Sequence, residues 1–136
     1  MATWTAPKTW TTGEVLTSSD MNNYLSENLT FIKIQVEATA KTDSHTLVLA
    51  DAGKVVEMGK ATAQTVTIPT NATAAFPVGT TITVLQTGAG QVTIAGAGGV
   101  TVNSTGSRLK TTQQWSAATL IKRDTNTWVA FGDLAA

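Results

Sequence analysis

Gln64-Thr65-Val66-Thr67-Ile68, Thr80-Thr81-Ile82-Thr83-Val84-Leu85-Gln86 and Gln91-Val92-Thr93-Ile94-Ala95 share one pattern, with β-branched apolar residues at every second position and Thr between several of them. Side chains alternate across a strand, so each stretch sets Val66/Ile68, Ile82/Val84 or Val92/Ile94 on one face and Thr or another residue on the other. Weaker versions run through His45–Leu49, Lys54–Met58, Val100–Asn103, Arg108–Thr111, Trp115–Arg123 and Thr127–Phe131. Nine short strands at near-regular spacing predict a mostly β body over 46–136, a small antiparallel β-sandwich or barrel. Asp51-Ala-Gly53, Gly88-Ala-Gly90 and Asp124-Thr-Asn126 read as tight hairpin turns. Pro69 and Pro77 flank a polar loop, Thr70–Ala75, and mark strand ends, because proline cannot donate a ladder hydrogen bond.

Upstream the period changes. Residues 1–17, with Trp4, Pro7 and Trp10 among Thr and Ala, predict an extended arm. Thr17 supplies an N-cap oxygen and Asp20, three positions on, the acid of a capping box. Met21, Leu25, Leu29, Ile32 and Val36 then recur at spacings of four, four, three and four, which predicts one amphipathic α-helix over 18–38. Residues 39–45 form a polar hinge. A single amphipathic helix must bury its stripe against its own sheet or against copies of itself. Tyr24 and Phe31 widen the stripe, and the flanking charge pairs that enforce two-stranded pairing are sparse.

Composition sets further bounds. A β body of this size buries roughly 60–70% of its unfolded surface, enough for one core. Nine basic residues balance nine acidic ones, so no electrostatic footprint recommends nucleic acid or an anionic membrane as partner. Charged residues make up 13% of the chain and 27 of its 136 residues are Thr. Such a weakly charged, β-prone surface suits a protein whose edges are occupied by partners. Cysteine is absent, which excludes a disulfide framework or a thiolate metal site. No apolar run approaches the ~20 residues that span a bilayer, and the first residues lack a signal-peptide pattern.

Chemistry-bearing motifs are few. His45 is the only histidine and reads as a solvent-facing hinge residue, with Asp43 near enough in sequence to orient it. Asp51, Glu57, Asp124 and Asp133 are scattered singly, without the paired environment glycoside hydrolysis requires. Gly88-Ala-Gly90 and Gly96-Ala-Gly98-Gly99 precede strand patterns rather than a helix, so they read as turns and not as a phosphate cradle. Lys110, Lys122 and Arg123 read as a solvated strand face, and Trp115 and Trp128 as core aromatics that could alternatively serve a sugar site. Neither a catalytic group, nor a cofactor, nor a metal ion is expected.

Trp10-Thr-Thr-Gly13-Glu14-Val15-Leu16-Thr17-Ser-Ser-Asp20-Met21-Asn22 resembles a stretch near the start of many tailed-phage virion proteins, in which a Trp and a Gly-Glu-Val-Leu-Thr turn lead into a helix. The remainder, from Leu47-Val-Leu-Ala-Asp51-Ala-Gly53-Lys54 to Trp128-Val-Ala-Phe131-Gly132-Asp133-Leu134, resembles the small β domains of phage head-fibre, capsid-decoration and tail-fibre proteins. The resemblance implies a non-enzymatic virion structural protein, made in the host bacterial cytoplasm and carried on the capsid surface. Its expected partners are itself, as a homotrimer joined through Met21, Leu25, Leu29, Ile32 and Val36, and the phage major capsid protein or another virion protein, gripped by Trp4 and Trp10. The alternative is a receptor- or glycan-binding tail-fibre or tail-tip subunit that recognises its target through Thr70–Ala75 and Gly96–Gly99.

Overall fold

The structure, a computed structural model, describes residues 6, 8–26 and 40–136. It divides the chain into two compact units, residues 1–34 and 35–136.

In the first unit a helix, α1 (Ser18–Asp20), opens on the expected capping box. The Asp20 N–H donates to Thr17 Oγ1 at 3.1 Å, and the Thr17 N–H and hydroxyl donate back to Asp20 Oδ2 at 3.1 and 2.5 Å. Two otherwise orphaned amide donors are thereby satisfied. The chain then winds as a π-helical turn over Met21–Ser26 rather than as regular α-helix. Asn22 and Asn23, whose short amides compete for backbone groups, occupy that widened turn. Leu29, Ile32 and Val36, expected on the same stripe, lie outside the described residues, as does Trp4.

The second unit holds ten strands: β1 (His45–Thr46), β2 (Val55–Met58), β3 (Gln64–Ile68), β4 (Thr81–Gln86), β5 (Val92–Gly96), β6 (Thr101–Asn103), β7 (Lys110–Thr111), β8 (Ala117–Asp124), β9 (Thr127–Gly132) and β10 (Leu134–Ala135). They form two five-stranded sheets, ordered β1-β3-β5-β7-β10 and β2-β4-β8-β9-β6. No ladder joins the two sheets among the described residues, so the fold is a sandwich and not a closed barrel.

Both sheets are mixed, where hairpin turns had predicted antiparallel pairing. β1, β3 and β5 run parallel, as do β2 with β4 and β6 with β9. Successive strands from β1 to β8 alternate between the sheets instead of pairing with one another. Asp51–Gly53 and Gly88–Gly90 therefore carry the chain from one sheet to the other, and only Asp124–Asn126 closes a hairpin, between β8 and β9. The glycines at the second crossing answer to stacking. A Cβ on Gly88 would overlap the Lys60 carbonyl, and one on Gly90 the Thr62 backbone. Thr87 and Gly88 both donate to Met58 O at 3.0 Å, and Gly90 donates to Lys60 O at 3.0 Å, so the crossing from β4 to β5 lies directly on that from β2 to β3.

Between the sheets the alternating residues meet as predicted. Val56, Val66, Ile68, Ile82, Val84, Val92, Ile94 and Leu120 are essentially without exposure. Trp128 joins them and meets Phe76 edge to face, with ring centroids 5.5 Å apart. Burying such side chains stabilises the fold by about 1.5–3 kcal/mol each.

Candidate functional site

Among the described residues of the N-terminal unit, several apolar side chains stand largely in solvent. Trp10 is 44% exposed, Met21 41% and Leu25 48%, with Val15 and Leu16 more open still. Trp10 is held in place by its neighbours. Its ring meets Tyr24 edge to face at 6.2 Å, and Lys8 Nζ lies 4.5 Å above it. Lys8 in turn pairs with Glu14, whose carboxylate accepts the Thr11 N–H at 3.2 Å. The hydrogen bond to Lys8, then that to Thr11, holds the Glu14 carboxyl below its ordinary value. Five apolar residues within sixteen positions are thus exposed, among them Trp10, a side-chain type that anchors protein contacts.

His45 departs from the solvent-facing reading. It lies opposite Val66 in the β1–β3 ladder, and its Nε2 is 2.9 Å from Asp51 Oδ2. That carboxylate is 2% exposed and also accepts the Val48 N–H at 2.8 Å. The pair fixes the turn that follows β1. Asp43, expected to orient the histidine, is instead 2.5 Å from Lys60 Nζ, and this hydrogen bond lowers its pKa. Ser44 Oγ accepts the Thr65 N–H at 2.9 Å. An open depression of about 350 Å³ is lined by Lys41, Asp43, Ser44 and His45. Among the described residues no three His, Asp or Glu side chains converge as metal ligands, and no helix is long and apolar enough to cross a membrane.

Two aromatic expectations separate. Trp128 is a core residue, whereas Trp115 is 68% exposed and has a positive φ of 72°. The turn that bears Trp115 is pinned on both sides. Trp115 N–H donates to Gln86 O at 2.7 Å, Ser116 N–H to Gln113 O at 3.1 Å and Gln114 Nε2 to Thr87 O at 2.8 Å. A large aromatic in a strained backbone conformation, open to solvent, is placed there against its own conformational preference.

Lys122 also departs from its predicted solvated face. It is 2% exposed, and its Nζ donates to Asn71 Oδ1 at 2.5 Å and to Phe76 O at 2.7 Å. The Asn71 N–H donates to Asn126 Oδ1 at 2.8 Å. The polar loop Thr70–Ala75 is thereby fastened to the β8–β9 hairpin.

Compared with known proteins, the chain matches no family model, no curated protein and no solved structure.

Proposed function

We propose that this chain is a non-enzymatic structural protein of a tailed-phage virion, a capsid decoration or head-fibre protein that binds the capsid surface as a homotrimer. The observation that carries the reading is the exposure of Trp10, upstream of the Thr17–Asp20 capping box, and of Met21 and Leu25, which follow it. Met21 and Leu25 open the seam between copies, continued by Leu29, Ile32 and Val36. Trp10, with Trp4, grips the major capsid protein, where burying an indole offsets the entropy of fixing the arm. The sandwich then faces outward. Supporting the reading are the neutral net charge and the Thr-rich surface, which suit packing among neighbours better than capture of nucleic acid or membrane.

Light scattering on the purified chain is expected to give three times the 14.1 kDa protomer mass, and Leu25→Asp to shift it toward monomer by placing a charge in an apolar seam. Gel densitometry of intact virions decides position. A decoration protein is present at every local symmetry axis and raises the temperature at which particles lose DNA, because its binding free energy adds to shell stability. A handful of copies per particle defeats that reading.

One observation favours a second reading, a receptor- or glycan-binding tail-fibre subunit. Trp115 offers a pinned, exposed aromatic face of the kind that stacks on sugar rings. Loss of adsorption in Trp115→Ala phage with unchanged shell melting selects it.

A further inference from the structure

Two connections meet at one edge of the sandwich and enclose a cavity. One runs from β6 to β7 through residues 104–109, the other from β9 to β10 through residue 133. The cavity holds about 220 Å³ and is lined by Thr105, Arg108, Ala130, Phe131, Gly132 and Leu134. The first connection carries three features that the fold does not explain. Arg108 is exposed and forms no ion pair among the described residues, although Asp133 stands between the lining Gly132 and Leu134. Ser104 Oγ, one residue before Thr105, is buried without a hydrogen-bond partner. Ser107 has a φ of 56°, a left-handed conformation that among the described non-glycine residues Trp115 alone shares. Unused polar groups and backbone strain gather where a protein meets a ligand, and here all three fall within residues 104–108. Phe131, on the opposite connection's strand, leaves 49% of its surface in solvent.

We infer that this cavity captures the C-terminal carboxylate of a partner chain whose last side chain is apolar. Arg108 supplies one positive charge, and its guanidinium matches a carboxylate through two parallel N–H donors. A phosphate group carries more charge than this single lining cation offsets. Ala130, Phe131 and Leu134 make much of the remaining wall apolar. That wall suits an aliphatic side chain, whereas the hydroxyls of an acidic sugar would be left short of partners. The volume lies below the roughly 300–1,000 Å³ that drug-sized ligands occupy, so one terminal residue fills it. Position supplies the rest of the grip. β6 and β10 end their sheets, and the outer side of each has no ladder among the described residues. An extended peptide leaving the cavity therefore finds unpaired backbone groups to bond, while Arg108 and the apolar wall read its last residue. The site belongs to the sandwich and stands whether or not Met21 and Leu25 join copies.

The test compares two forms of one peptide. Acetyl-Gly-Thr-Val-Leu with a free carboxylate is titrated into the full-length, isotope-labelled protein at neutral pH, beside the same peptide ending in a carboxamide. The acid is expected to move the amide resonances of Thr105, Arg108, Phe131 and Leu134, and the carboxamide to bind at least about tenfold more weakly. Equal shifts from both peptides, or none from either at millimolar concentration, overturn the proposal. Arg108→Gln is expected to erase the difference between acid and carboxamide, whereas Lys110→Gln, which removes an exposed cation two residues away, is expected to keep it. Loss of the difference in both variants means that general positive charge attracts the peptide, and defeats the site. An Arg108→Gln protein that folds, by its circular dichroism spectrum, and still prefers the acid overturns the proposal as well. Should that variant not fold, the two peptides on the wild type still decide. Sodium glucuronate tests the other source of a carboxylate: shifts at the same residues stronger than those from the peptide acid put an acidic sugar in place of the partner chain and overturn the inference.

Discussion

Lys122 and Asn71, 51 positions apart in sequence, meet in the interior of the sandwich, with the ammonium 2.5 Å from the amide oxygen. A second acceptor, the Phe76 carbonyl, completes a site in which a buried cation is held by neutral dipoles. Removing the donor strands two acceptors. Lys122→Ala is expected to cost roughly 2–3 kcal/mol, read from the urea midpoint. Amide exchange should quicken first in residues 70–76, because those residues are what the ammonium holds. Uniform loosening of the whole sandwich would contradict this.

Crossings that lie directly on one another leave no space for a methyl group. Gly88→Ala and Gly90→Ala are each expected to destabilise by at least about 1–3 kcal/mol, since backbone has to move. Gly98→Ala has no atom within 4 Å of its new Cβ and no positive φ, so its melting temperature should match the wild type or exceed it slightly. Equal losses at all three positions would show that chain flexibility, not stacking, governs these sites.

Trp115→Gly reverses the usual expectation for losing a large aromatic. The ring is mostly in solvent and the backbone is left-handed, so the substitution should stabilise the fold by about 0.5–1 kcal/mol. A marked loss of stability would mean that the ring packs usefully. A gain in stability joined to lost binding would show that the strain is kept for recognition.

The N-terminal cap has a defined acid limit. The Thr17 hydroxyl, then the Thr17 N–H, holds the Asp20 carboxyl below its ordinary value of 3.8. A depressed folded-state pKa stabilises the cap fully above 3.8, and this contribution is lost as pH falls below that value through the folded pKa. Titrating Asp20 by NMR should show the midpoint under 3.8, moving up toward it in Thr17→Val. An unchanged midpoint in that variant would remove the hydroxyl as the cause.

Alternation alone located the inward residues Val66, Ile68, Ile82, Val84, Val92 and Ile94, because a two-residue period is enforced by the pleat. It also placed Lys122 on the inward face, in step with Ala118 and Leu120. The charge argued the other way, and the acceptors that make its burial tolerable come from a loop far away in sequence. Gly88-Ala-Gly90 was legible as a turn but not as a crossing. A short glycine turn serves a hairpin and a jump between sheets equally well, and only the preceding turn against which it packs tells them apart. For His45 the partner was six residues ahead, at Asp51, and the turn between them had to form before the pairing existed. The exposure of Trp115 has no signature in composition, since an indole is ordinarily worth burying.

Strands that cross between sheets at each step turn the first half of the sandwich into a coil, whose first turn, from His45 to Val66, advances 21 residues. Val66 pairs with Ile94 and Val55 with Thr83, each 28 positions on. A segment of that length is thus a unit of growth. Inserting one more, with the same inward pattern and glycine crossing, lengthens both sheets by a strand without disturbing the register of the others, much as a repeat is added to a solenoid.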